Sequence, residues 1–384
     1  MQIDLFDPKD IRVNLLPFTY TRPVAEIRIG ILKVTEKWQQ YGFEAGFDTV
    51  DYLSGKFESL NSQLKVNGAL CPDADVVEAI KALKQGEELI SDGHVLASHG
   101  EVSASIDYKK KVRLITQSWH IFANNKEQIE ADFILITAGR TSQPIDDPHT
   151  IVYGRENVFL EEGASIKAAI INAEQGPVYI GRNAQVHEGA IIKGAFALCE
   201  ESHVNMGAKV RGDTTVGPYS KIGGEVGNSV IFGYSNKGHE GYLGNSVLGE
   251  WCNIGADTNT SNLKNNYAPV KLWSYSKGGF ANTGLQFCGL MMGDHAKCGI
   301  NTMFNTGTVV GVGASVFGSG YPRNFIPSFS WGGANGFITF QPRKFTEVAK
   351  AVMDRRGMDF DEQEKAILDK VFAETIDYRI WDKK

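Results

Sequence analysis

The sequence predicts an α/β domain followed by a left-handed parallel β-helix of hexapeptide repeats, closed by C-terminal helices. Three observations predict it. Aliphatic residues recur every six positions at Ile180, Val186, Ile192, Leu198, Val204, Val210, Val216 and Ile222. That period belongs to neither an α-helix nor an ordinary strand, but a hexapeptide coil needs one inward aliphatic on each short face. Most of the 42 glycines fall after residue 175, as a repeat requires. Before residue 150, strand-like and helix-like segments alternate instead.

In chain order, the stretch VVEAIKALKQG reads as a helix ending at Gly86, and ADFILITAG reads as a buried strand. The turn-rich QPIDDP at 143–148 marks a boundary, giving an α/β domain over 1–150 and a β-helix over 151–340. After Ile222 the register slips. It resumes at Leu248, Ile254, Phe304, Val310 and Val316, with Gly181, Gly217, Gly223, Gly249, Gly255 and Gly311 following inward aliphatics at the corners, where small or positive-φ residues are needed. Each coil buries its inner face only against its neighbours, so the stack needs closing. Residues 341–384 supply two amphipathic helices broken near Gly357 and Asp361, read as a cap or an oligomer contact.

A net charge of −6 argues against affinity for nucleic acid or an anionic membrane resting on charge alone. No run approaches the ~18 apolar residues of a spanning helix, and MQIDLFDPKDIR is charged where a secretory signal is apolar. The five cysteines are odd in number and never spaced CxxC, which suggests neither a disulfide framework nor a zinc site. A soluble protein of the cytoplasm is expected.

The segment from Gly233 to Lys271 breaks the hexapeptide rule. Its Asn-rich part, Asn259 to Lys271, is expected to leave the coil as a loop, and loops on rigid scaffolds are where sites are built. Upstream, His239 lies between Gly238 and Gly241, where little bulk hides an imidazole. By itself this setting suits a surface histidine in a polar turn as well as a catalytic one.

The strings KGHEGYLGN, CNIGADT and SNLKNNY together resemble the acetyltransferase half of the bifunctional N-acetylglucosamine-1-phosphate uridylyltransferase and glucosamine-1-phosphate acetyltransferase family. The chain is most similar to a branch, many of whose members come from Bacteroidetes, in which a divergent nucleotidyltransferase-like domain precedes the helix. The resemblance implies that His239 is the general base and that Tyr242, Asn253 and Asn262 line the amino-sugar site. Lys271 resembles the loop lysine near the sugar phosphate. Acetyl-CoA is the implied donor, with Ala256 at the coenzyme and the AKCGINT coil at 296–302 similar to those that hold it. A sugar phosphate or nucleotide-sugar is the implied acceptor, and a homotrimer the implied assembly. The residue types suit the chemistry: histidine titrates near neutrality, amides hold hydroxyls, and lysine meets phosphate. Asp257 stands where the family has glycine, and Leu263 where it has tyrosine.

The same resemblance reaches the amino terminus through LPFTYTRP, in which Arg22 is the expected phosphate contact. The usual Gly-rich turn ahead of Thr-Arg is missing, and the Asn-Gly-Asp that presents a magnesium ligand appears as Asn67-Gly68-Ala69. Asp73 and Asp75 head a helix, where capping explains them. Magnesium chemistry is therefore doubtful here. Three readings stay open: an acyltransferase on an amino-sugar phosphate or nucleotide-sugar; a sugar nucleotidyltransferase whose β-helix oligomerises or regulates; and a non-catalytic sugar-nucleotide-binding protein.

Overall fold

The computed structural model describes residues 1–382. The chain divides into two compact units, one of residues 1–27 and 32–118, the other of residues 28–31 and 119 onward. The boundary expected near 150 thus lies inside the second unit.

The first unit is built on a six-stranded sheet in the order Glu44–Asp48, Gln2–Phe6, Leu64–Asn67, His94–His99, Glu87–Ser91, Ala104–Asp107. The first three strands run parallel and the fourth antiparallel to the third. Alternation buries Ile3, Leu5, Leu64 and Val66. The expected helix is present as Ala74–Lys81, ending before the left-handed Gly86. Asp73 caps it, its carboxylate accepting from the Val76 N–H at 2.8 Å.

The second unit is a parallel β-helix with three strand faces. The first face carries nine strands, from Val158–Leu160 to Phe325–Ile326. The second carries ten, from Ser165–Ile166 to an antiparallel final hairpin, and the third six, from Ile151–Tyr153 to Tyr242–Gly244. All eight residues of the six-residue series are buried in one continuous core with Leu248, Ile254, Phe304, Val310 and Val316. The corner glycines serve close approach, because none of the six has positive φ. A Cβ on Gly217 would lie 1.9 Å from the Phe232 carbonyl oxygen, and one on Gly255 2.4 Å from the Gly299 carbonyl. The left-handed corner positions instead carry Tyr219, Tyr234, Trp251 and His295, whose rings stack in sequence along one edge.

The segment ADFILITAG is helical and not a buried strand: it ends the helix Asn125–Thr137. The reason is tertiary. This helix buries Asn125, Gln128, Ile129 and Asp132. The Asp132 carboxylate accepts from the Ile31 N–H and the Asn125 side-chain oxygen from the Gly30 N–H, both at 2.8 Å. The Asn125 amide donates to Thr215 on the coils. Satisfying these buried groups outweighs the β-propensity of the Phe-Ile-Leu-Ile run.

At the far end, the helices Pro342–Asp354 and Glu362–Glu374 flank a turn at the left-handed Gly357. Asp361 caps the second, accepting from the Glu364 N–H at 2.7 Å. The chain leaves the coils later and for longer than expected. Asn259–Thr260 still pairs with Met303–Phe304, and the excursion from Ser261 to Gly289 contains the hairpin Lys271–Ser274 with Gly279–Asn282.

Candidate functional site

Parallel register sets outward side chains of successive coils in columns. On the second face one column runs Lys221, Asn236, Asn253, Lys297. Three strand spacings separate its ends, roughly 14 Å. This column is the floor of a groove of about 1090 Å³. The helix Pro342–Asp354 walls it with Glu347, Val348, Ala351 and Val352, and Arg355 and Arg356 follow at the C-terminal end of that helix. His239 and Gly238 lie at its edge, and Ala256 with Gly255 lines the next corner. The lining charges are Lys221, Lys297, Arg355 and Arg356 against Glu347, so the groove favours an anion.

Two of the cations are held in place. The Arg356 guanidinium reaches the Asn236 amide oxygen at 3.4 Å, joining wall to floor. Lys297 donates to the His295 carbonyl at 3.0 Å, and burial pulls its ammonium down to about 8. Burial likewise lowers Arg356, helped by Arg355 beside it. His203, one coil before Lys221 in the same column, is lowered first by burial and then by Lys221, His187 and Arg356. An anion would relieve these mutual repulsions.

His239 sits on the turn Gly238–Gly241 that joins strand Asn236–Lys237 of the second face to Tyr242–Gly244 of the third. Its side chain is exposed and, among the described residues, has no hydrogen-bond partner. An imidazole in that state is available to a ligand in the groove. Tyr242 begins the third face. The Asn262 amide donates to its hydroxyl at 2.9 Å and to the Asn245 side-chain oxygen at 2.7 Å. Burial raises the Tyr242 hydroxyl, so it stays protonated.

The fold therefore brings His239, Asn253 and Ala256 together in the groove, and Tyr242, Asn262 and Asn245 together on the adjoining face. The turn carrying His239 is where the two faces meet. Lys271 lies on the excursion hairpin opposite Asn282, exposed. Arg22 belongs to the first unit, where it is 4% exposed and its carbonyl accepts from Arg12 at 3.2 Å. In that unit Asn67 is committed to the backbone, donating to the Val95 carbonyl and accepting from the Ala69 N–H, while Ala69 itself is buried. Among the described residues no three His, Cys, Asp or Glu side chains cluster as a metal site.

Sequence reasoning gave no role of their own to Lys221, Lys297, Arg355, Arg356 and Asn245, the second and last of which it read only within AKCGINT and KGHEGYLGN. The first two carried a readable signal, since each immediately precedes an inward residue, Ile222 and Cys298. Nothing local marked the arginines.

Residues 3–141 match the family model described as sugar nucleotidyl transferase. That match spans about a third of the chain. Among curated proteins the chain is 38% identical over 95 residues to the bifunctional protein GlmU of Methanocaldococcus jannaschii, covering 24% of this chain and 22% of that protein. It is 35% identical over 100 residues to the bifunctional sugar-1-phosphate nucleotidylyltransferase/acetyltransferase of Sulfurisphaera tokodaii, covering 26% and 24% respectively. The matched stretch thus spans about a quarter or less of either relative. Of solved structures, an Arabidopsis UDP-N-acetylglucosamine acyltransferase aligns with 62% of this chain and 97% of its own at 14% identity. With a TM-score of 0.25, that likeness carries no argument.

Proposed function

We propose that the protein is a transferase that moves an acyl group, acetyl in the first instance, from coenzyme A to the amine of an amino-sugar-1-phosphate, with His239 as general base. One observation carries this reading: an exposed imidazole, without a hydrogen-bond partner among the described residues, stands at the edge of a groove whose charges favour an anion. A phosphate-bearing acyl donor suits the groove, with Lys221, Lys297, Arg355 and Arg356 toward its phosphates and the Ala256 corner along its extended arm. Asn253 from the floor and Tyr242, Asn262 and Lys271 beyond the turn supply amides, a hydroxyl and a cation for the sugar and its phosphate.

The chemistry balances on these groups. The sugar amine attacks the thioester carbonyl as His239 takes the proton leaving the nitrogen. Collapse of the tetrahedral adduct breaks the C–S bond, and the imidazolium returns that proton to the departing thiolate. Incubating the protein with glucosamine-1-phosphate and acetyl-CoA should release free thiol in step with an acetylated sugar detected by mass spectrometry. Neither product forming with this acceptor, other amino-sugar-1-phosphates or amino nucleotide-sugars would sink the reading.

The assembly that suits it is a cytoplasmic homotrimer, with the excursion 261–289 long enough to reach a neighbouring coil stack. Light scattering that showed a monomer at micromolar concentration would remove that part.

The family match of residues 3–141 favours a second reading, nucleotidyl transfer by the first unit. Against it stand buried Ala69 in place of a metal-binding carboxylate and the absence of a Gly-rich turn before Arg22. Weak or no pyrophosphate release is expected from sugar-1-phosphates, nucleoside triphosphates and magnesium. Robust release that disappears in Arg22→Ala would reinstate it.

A further inference from the structure

One interior column of the β-helix runs Ile166, Val186, Val204, Ile222, Lys237, Ile254, Cys298, Val316. Lys237 is its one charged member, 1% exposed, with Ile222 in register one coil before it and Ile254 in the next coil after it. An aliphatic fills this place everywhere around it except at Cys298. A buried ammonium persists in such a column only where it is well hydrogen-bonded.

Its partners are all backbone. The Lys237 ammonium donates to the carbonyls of Gly223 at 3.1 Å, His239 at 2.5 Å and Glu240 at 3.2 Å. Two of these three belong to the turn Gly238–Gly241. The equivalent corner is filled by a small buried side chain at Ala208 and Thr258, and in the coil just before it is Gly224. Here the corner residue is Gly241 at φ +110, which brings no side chain and leaves the turn unpacked from within. A Cβ at Gly241 would lie 2.1 Å from the Thr258 carbonyl oxygen, so no other residue can supply that packing without a shift.

We infer that Lys237 is a positioning residue: from inside the coil it clamps the carbonyls of the His239–Glu240 and Glu240–Gly241 peptides and so sets where the His239 imidazole stands. Part of this rests on the reading of His239 as the base, and part, the placement of the turn, does not. The clamp acts through backbone alone, which leaves the imidazole itself free for substrate. It also makes the two-faced site continuous, because the clamped turn leads straight into Tyr242.

The test is Lys237→Met, which keeps length and apolar volume and removes the donors, read by its crystal structure and by steady-state kinetics. The turn 238–241 is expected to shift or lose order while the flanking strands stay in register. Turnover is expected to fall about 100-fold, the scale of an ångström of misplacement, with both Michaelis constants within about threefold. Lys237→Gln, which retains uncharged donors, should recover part of the loss, and it carries the comparison with wild type if the methionine variant fails to fold. A turn in its wild-type position in the variant that folds overturns the inference, as does full turnover per folded molecule. If wild-type protein transfers no acyl group, the crystallographic comparison still decides the clamp, and the reading of His239 falls separately.

Discussion

The Asn262 amide donates to the Tyr242 hydroxyl at 2.9 Å, tying the start of the 261–289 excursion to the last strand of the third face. The same amide reaches Asn245, so both of its protons are used. The excursion is thereby held beside the turn of His239, on the side of the proposed acceptor site.

From this contact we expect Asn262→Ala to raise the Michaelis constant for the amino-sugar phosphate about tenfold while turnover changes little. Two side-chain hydrogen bonds are lost at a half-buried site, so stability should fall by about 1 kcal/mol. Initial-rate kinetics with each substrate varied in turn, together with a denaturant titration, measure both. An unchanged acceptor constant would mean that the excursion has no part in the sugar site.

The arginines of the groove wall predict the opposite selectivity. Replacing Arg355 and Arg356 by alanine removes two of the four cations lining the groove. The Michaelis constant for the acyl donor should rise about tenfold or more, equivalent to ~1.4 kcal/mol, and should depend less steeply on salt than in wild type. The acceptor constant should stay within about threefold. If the acceptor constant alone moved, the cations would be serving the sugar phosphate and the roles assigned along the groove would be reversed.

The inward register was legible because a coil with one aliphatic per face leaves a strict period in the sequence, whereas Asn253 was named only through the family resemblance. Lys237 was hidden by the slip. It follows its column neighbour Ile222 after fifteen residues, whereas Ile222 follows Val204 after eighteen, because the Gly223-Gly224 corner is two residues shorter and the corner after Val226 one residue shorter. The groove wall was hidden for a different reason. Arg355 and Arg356 lie more than a hundred residues from His239, and on their own helix they read as the solvated end of a cap. The helix Asn125–Thr137 was misread because its buried face is polar, made so by bonds to residues 30, 31 and 215 that no local pattern announces.

Lys237 also predicts a pH dependence of stability. Burial lowers its ammonium to about 8 from the usual 10.5. A lysine lowered by folding binds its proton more tightly in the unfolded chain, so it opposes folding fully below pH 8, and this opposition fades as pH rises from 8 through 10.5. The full effect is of order 3 kcal/mol. Lys297 adds an effect of the same sign, so the comparison must be between wild type and Lys237→Met. The stability difference, wild type minus variant, should grow in favour of wild type between pH 8 and 10.5, measured by denaturant unfolding. Parallel pH curves would show that Lys237 does not titrate in that window.

The outcome on which the proposed function most depends is that of His239→Ala. The residue is exposed, lies outside every inward column and makes no side-chain hydrogen bond among the described residues, so truncation uncovers little apolar surface and breaks no buried contact. Fold and assembly should therefore survive, checked by thermal melting and light scattering. Its backbone carbonyl still accepts from Lys237 in the variant, so the turn should keep its place. Loss of a general base lowers turnover roughly 10²- to 10⁴-fold, and because Asn253, Asn262 and Lys271 are untouched, the Michaelis constants should stay near wild type. Full turnover in a variant of an active wild-type protein would show that another group removes the proton. An unfolded variant would make His239 structural, which its exposure argues against.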